Sequence, residues 1–185
     1  MISLVEFNFL VNKIWKKYKF LNYLINLICI FYLFFFIYTA HKIYEMELLS
    51  MIFILLICIF SDIGGYTVGK SIGGKKLTKI SPNKTISGSI GSFIFSLIPL
   101  LIFIMIYSYT KNTEYKPNDT FKIILVSLAL SFVCQLGDLF ISLFKRKAKV
   151  KDTGSIFPGH GGILDRIDGI IFAIPTAFII DKIFF

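Results

Sequence analysis

Charge is what this sequence has least of. Asp, Glu, Lys and Arg make up 17% of its 185 residues, against roughly a quarter in an ordinary soluble domain. Acids are the scarcer sign, 11 against 20 lysines and arginines, for a net charge of +9. The three cysteines, Cys29, Cys58 and Cys134, each sit inside an apolar run, with no CxxC spacing and no histidine cluster beside them. These shortages exclude a soluble globule, a disordered tail and a disulfide scaffold, and read the cysteines as inert residues of the interior. No internal repeat stands out, and no Ser-His-Asp or Cys-His nucleophile set is apparent.

What fills the chain instead is apolar: 56% hydrophobic residues, 21 of them Phe, and a mean hydropathy of +0.76. A membrane span needs about 20 largely apolar residues. Five stretches qualify: Leu21 to Ala40, Leu48 to about Gly65, Ile90 to Ser108, Phe121 to Phe144, and about Leu164 to Ile183. Pro99 and Pro175 fall within spans, where membranes tolerate them. The sequence therefore predicts an all-α, polytopic transmembrane helical bundle of about five spans.

The connections differ in charge. The second carries Lys70, Lys75, Lys76, Lys79 and Lys84, and the fourth Lys145, Arg146, Lys147, Lys149 and Lys151. The first and third hold few lysines, diluted by Glu45, Glu47, Glu114 and Asp119. Basic short loops are retained in the cytoplasm, so the second and fourth are expected inside, with the N-terminus inside and the C-terminus outside. Before the first span, Leu4, Phe7, Val11, Ile14 or Trp15, and Tyr18 recur at helical spacing opposite Lys13, Lys16, Lys17 and Lys19. Residues 1–20 thus read as an amphipathic interfacial segment and 21–185 as the membrane domain. A signal peptide is the rival for this end, disfavoured by the long apolar run that follows and the lack of an A-x-A site.

A carboxylate at membrane depth costs about 2.5–3.5 kcal/mol on insertion scales and marks a functional site by default. Asp138 lies six residues before the end of the fourth span, Asp165 and Asp168 open the fifth on one helical face, and Asp62 closes the second. All four approach the membrane from the same inner side. For Asp62 and Asp168 an interfacial cap or ion pair is an equal reading; Asp138 has no cationic neighbour in sequence and reads as a ligand. The adjoining loops are cationic and glycine-rich: Gly69, Gly73 and Gly74 precede Ser81, Lys84 and Thr85, while Gly154, Gly159, Gly161 and Gly162 surround His160. Glycines let backbone N–H groups approach phosphate oxygens that Lys and Arg neutralise. Carboxylates facing a polyphosphate imply Mg²⁺, which takes one or two carboxylates plus substrate phosphates. Plain topology signalling is the rival reading for the lysines, chiefly Lys147 and Lys149.

The run Ser142-Leu-Phe-Lys145-Arg146, four residues, then Lys151-Asp152-Thr-Gly154-Ser-Ile-Phe-Pro158-Gly-His160-Gly161-Gly162-Ile-Leu-Asp165-Arg166-Ile-Asp168 resembles the signature of the phosphatidate cytidylyltransferases, the CDP-diacylglycerol synthases, with no departure over its 27 residues. A second stretch, Ser61-Asp62-Ile-Gly-Gly-Tyr66, Gly69-Lys70, Gly73 and Ser81-Pro82-Asn-Lys84-Thr85, resembles the family's upstream motif. Here Ser87 stands where the family usually has Glu, and Gly65 and Ser92 replace Ala and Gly. The resemblance covers about Ile59 to Ile170. Family members generally have more N-terminal spans, so the chain looks like a short form.

The resemblance implies the reaction of CTP with phosphatidate to give CDP-diacylglycerol and pyrophosphate, with Mg²⁺ on Asp138 and Asp165 and room for a second cation. Asp138, Asp165, Lys151, His160 and Arg166 are its expected catalytic residues. Asp62, Lys70, Ser81, Lys84, Thr85, Lys145, Arg146, Asp152, Gly161, Gly162 and Asp168 are those expected to bind substrate. A bacterial inner membrane is the expected location, with the site facing the cytoplasm, membrane lipid around it, no nucleic acid as partner, and a homodimer left open. Two alternatives belong to other classes: a CTP-dependent lipid-alcohol kinase, whose neutral acceptor would benefit from a carboxylate base, and a transporter or assembly subunit using the aspartates as an ion path.

Overall fold

The computed structural model describes residues 1–111, 117–156 and 161–184. Among the described residues there are eight helices and no strand: α1 (Ile2–Ile14), α2 (Lys19–Met46), α3 (Leu48–Ile72), α4 (Ile86–Phe95), α5 (Ile98–Lys111), α6 (Pro117–Lys147), α7 (Leu164–Ile167) and α8 (Ile170–Phe184). Four stretches, Lys19–Met46, Leu48–Ile72, Ile86–Ile106 and Thr120–Lys147, are long and apolar enough to cross a membrane. The chain is an all-α, polytopic integral membrane protein.

The helices outrun their apolar stretches. Beyond Ala40, α2 continues through His41 and Lys42, which pair with Glu45 at 3.1 and 2.7 Å one turn away, and Glu47 alone separates it from α3. The third expected span is two helices, α4 and α5, interrupted at Ser96 and Leu97 just before Pro99, whose ring opposes a continuous ladder. The fifth is also divided. Its first turn is α7, the chain bends at Asp168 and Gly169, and α8 runs for 15 residues, or about 22 Å at 1.5 Å per residue. Asp165 and Asp168 therefore precede the fifth apolar helix.

Two seams of small residues position the polar groups. Along the first, Gly64 and Gly65 of α3 face Gly91 and Gly88 of α4, and a Cβ on Gly64 would stand 2.5 Å from Gly91 O. Only hydrogen at these positions lets the two backbones meet, the usual device for helices packed in lipid. The second joins α6 to the α7–α8 bend: a Cβ on Gly137 would lie 2.6 Å from Asp168 O, and one on Gly169 would collide with Cys134 Sγ. Away from the seams, Ile57, Cys58, Leu130, Cys134, Ala173 and Ile174 form one apolar core. All three cysteines are free.

α1 has an apolar partner within the protein. Phe7, Leu10 and Val11 are buried together with Ile141, Phe144 and Leu164, and the rings of Phe7 and Trp15 lie 5.2 and 5.9 Å from that of Phe144.

Candidate active site

Asp62 lies on α3 ten residues before its end, and Asp138 on α6 nine residues before its end, which places both about 14 Å inside the same end of the bundle. Both basic loops lie at that end. The loop after α3 folds back on itself, with Leu77 N donating to Lys84 O at 2.8 Å and Ile86 N to Lys75 O at 3.0 Å. Thr85 then caps α4 by accepting from Gly88 N at 3.1 Å, the ordinary role of Thr at a helix start. The cap aims the preceding residue across the bundle, where the Lys84 ammonium pairs with the Asp138 carboxylate. The cation that sequence neighbours did not offer Asp138 comes from the other loop.

A cavity of about 380 Å³ opens here, lined by Asp62, Tyr66, Ser81, Asn83, Lys84, Thr85, Ser89, Gln135, Asp138, Asp165 and Asp168 among others. All four carboxylates expected to converge share it. Asp138 and Asp168 stand together in its wall, brought close by Gly137 at the second seam. The floor is polar: Ser89 Oγ donates to Gln135 Oε1 at 2.5 Å, and Ser61 and Ser131 hydroxyls meet at 2.8 Å beneath. Sequence reading missed this floor, because single hydroxyls and an amide in apolar helices carry no motif.

Asp165 is held differently. Lys145 Nζ lies 2.7 Å from Oδ1, while Oδ2 accepts from Thr153 N at 2.8 Å and Gly162 N at 3.0 Å and stands 2.9 Å from Thr153 Oγ1. Burial alone would raise its pKa; the Lys145 ammonium and these donors outweigh burial and hold the carboxyl below its usual range. Gly161 adopts φ +84°, and a Cβ there would meet Asp165 Oδ2 at 2.7 Å, so this position needs glycine on both counts.

The other described residues of the expected set do not line the cavity. Arg146 Nε donates to Ile80 O at 3.3 Å and ties the end of α6 to the other loop. Lys70 lies over the Tyr66 ring, 5.4 Å from its centre. Lys151, Asp152 and Arg166 are exposed. His160 lies outside the described residues. Ser87, at the position where Glu was expected, bonds Gly73 O and Thr85 Oγ1 and so closes the end of α3 against the start of α4.

Glu6 was also missed. It is only 5% exposed. Its Oε1 accepts from Ile163 N at 3.0 Å and its Oε2 from Leu164 N at 2.7 Å, with Thr153 Oγ1 3.1 Å from Oε2. The signal was present, since Glu6 is the sole acid of the first 40 residues and stands in the apolar stripe of α1. Gly154 and Gly162 make room for it: Cβ atoms there would lie 2.7 and 2.5 Å from Glu6 Oε1. The space above these two glycines is filled by a carboxylate.

Among the described residues no group of three or more His, Cys, Asp or Glu side chains is placed to hold a metal ion, and Lys84 and Lys145 are paired with two of the carboxylates. The donor chemistry nonetheless fits a divalent cation. Three carboxylates, Asp62, Asp138 and Asp168, face one ammonium in this cavity, an excess of anionic oxygen that a divalent cation would neutralise.

The site is thus an acidic cavity at one end of a bundle of apolar helices, with lysines of its two basic segments paired to its carboxylates. The sequence model of the cytidylyltransferase family matches residues 1–184, and the chain belongs to that family. It is 41% identical over 138 residues to a phosphatidate cytidylyltransferase of Bacillus subtilis (strain 168), covering 74% of this chain and 49% of that protein. It is 44% identical over 127 residues to that of Rickettsia bellii, covering 68% and 53%, and 39% identical over 139 residues to that of Haemophilus influenzae, covering 75% and 46%. The chain spans about half the length of these relatives.

Proposed function

We propose that the chain is a phosphatidate cytidylyltransferase, joining CTP and phosphatidate into CDP-diacylglycerol with release of pyrophosphate. The observation that carries this reading is the cavity in which Asp62, Asp138, Asp165 and Asp168 meet beneath Lys84 and Lys145, in a chain of this family. Phosphatidate offers a phosphate monoester already largely ionised near neutral pH, since its second pKa is near ~6. No strong general base is needed, which suits a site without a nucleophile set. What the reaction needs is two polyanions held in line, supplied by positioning and charge.

Asp138 and Asp165, with Asp168 beside them, would hold a divalent cation, Mg²⁺ by its preference for few carboxylates plus phosphates, and a second cation has Asp62 nearby. When bound, that ion screens the phosphates from one another and orients the attacking and leaving oxygens. Lys84 and Lys145, paired with carboxylates here, are the side chains free to turn onto phosphate oxygens once the carboxylates have another partner. Lys151, Arg166, Arg146 and Lys70 are the further cations that would attract CTP, with His160 between Lys151 and Arg166 in the sequence. Ser81 and Thr85 offer hydroxyls, Gly161 and Gly162 shape the loop around Asp165, and Asp152 stands beside it. Residues 1–20 lie along the inner interface. The protein sits in a bacterial inner membrane with the cavity facing the cytoplasm, its acceptor entering from the inner leaflet.

The test is product formation. Purified chain in detergent with phosphatidate, CTP and Mg²⁺ should release pyrophosphate in step with a cytidine-bearing lipid. Formation of CDP with a phosphorylated lipid would instead identify a kinase.

A further inference from the structure

We propose that Glu6 is a positioning residue for the acidic cavity: from a helix at the far end of the sequence it fixes Asp165 and the Thr153 loop, and so sets the affinity for a divalent cation. This rests on the reading of the cavity as a cation site.

A carboxylate on the apolar stripe of a helix is costly to bury unless its oxygens are used. Both are. Ile163 N and Leu164 N, 3.0 and 2.7 Å away, open α7, a turn with no cap from its own Ile163 side chain. Leu164 is the residue directly before Asp165, so Glu6 anchors the backbone one step from that carboxylate. The same residue reaches Asp165 by a second route. Thr153 Oγ1 stands between Glu6 Oε2 and Asp165 Oδ2, at 3.1 and 2.9 Å, and its single proton serves one of them at a time. The hydroxyl so couples the setting of Asp165 to that of Glu6.

The helix that carries Glu6 is itself locked to the rest of the site. Phe7, the next residue, packs on Phe144, six residues along α6 from Asp138. α1 thereby ties the loop of Asp165 to the helix of Asp138. Partners that orient a ligand from behind typically change metal affinity by about 10–100-fold when removed.

The test uses the full purified chain in detergent, with Glu6→Gln as the main variant. Glutamine keeps size and packing, but its amide nitrogen cannot accept from an N–H, so one of the two bonds to α7 is lost. Asn8→Ala, exposed on the same helix, is the control. Mn²⁺ binding without nucleotide or lipid, followed by loss of the free-ion electron paramagnetic resonance signal, should weaken about tenfold in Glu6→Gln. Exchange of the Ile163 and Leu164 amides should accelerate by at least a similar factor, with Asn8→Ala unchanged in both. Thr153→Val leaves the Glu6 bonds to α7 in place, so its Mn²⁺ binding can be read even where Glu6→Gln fails to fold. It should also weaken Mn²⁺ binding, and the double variant should be no worse than the weaker single.

Faster exchange with unchanged Mn²⁺ affinity would make Glu6 a structural cap only and overturn the proposal, as would additive effects in the double variant. Wild-type protein that binds no Mn²⁺ would overturn the cation reading beneath it, while the exchange data still decide whether Glu6 holds the loop.

Discussion

Replacing Gly137 by alanine tests whether the close approach of α6 to the α7–α8 bend is what makes the site. The added Cβ would lie 2.6 Å from Asp168 O and 2.6 Å from Phe172 Cδ2. Ordinary contact begins near 3.4 Å, so the seam must open by about 0.8 Å, with backbone on one side and little freedom to yield. Overpacking of this kind costs about 1–3 kcal/mol, partly offset by the roughly 1 kcal/mol that alanine gains over glycine within a helix. The net loss of stability should therefore be small. Activity should suffer far more, because a displacement near 1 Å in a reacting constellation costs about 10²-fold, and this one parts Asp138 from Asp168. Initial rates of CDP-lipid formation, beside thermal unfolding in the same detergent, separate the two effects. A Gly137→Ala protein that keeps most of its turnover and its normal cation requirement would refute the claim that these carboxylates act as a pair.

Asp138→Asn should reduce turnover by at least about 10²-fold, since a ligand loses its charge with little change of shape; Asp181→Asn, in a separate cavity with Glu47 and Phe53, should stay within a few-fold of wild type in the same assay. Lys151→Ala and Arg166→Ala, at signature positions, should each cost far more activity than Lys147→Ala, and equal effects at all three would favour general attraction to anionic lipid. Cysteines placed at 84 and 151 should resist an impermeant thiol reagent in sealed cells while one at 116 reacts; labelling of position 151 from outside would invert the arrangement.

Much of the fold is legible in composition because lipid allows few choices. Apolar runs of span length have to be helices, and loop charge orders them. Helix ends were less so: apolar length does not reveal that Tyr66 to Ile72 continue α3 or that α8 begins only at Ile170, since both depend on packing at the glycine seams. The convergence of the four aspartates was legible from depth alone. Their partners were not. Lys84 reaches Asp138 across 54 residues of sequence, and Glu6 reaches Leu164 across 158, and no local pattern encodes contacts of that range. Glycines expected to admit phosphate, Gly154 and Gly162, instead admit Glu6, because a glycine marks close approach without naming what approaches.

In the proposed reaction this cavity transfers the cytidylyl group of CTP to a lipid phosphate. Parallel incubations of the purified chain with phosphatidate and Mg²⁺, one with CTP labelled at the α-phosphorus and one at the γ-phosphorus, test it most directly. α-Label should appear in the organic extract, γ-label only in water as pyrophosphate, and both signals should be lost in Asp138→Asn. Label from the γ-phosphorus in lipid, or no lipid label from folded protein, would contradict it.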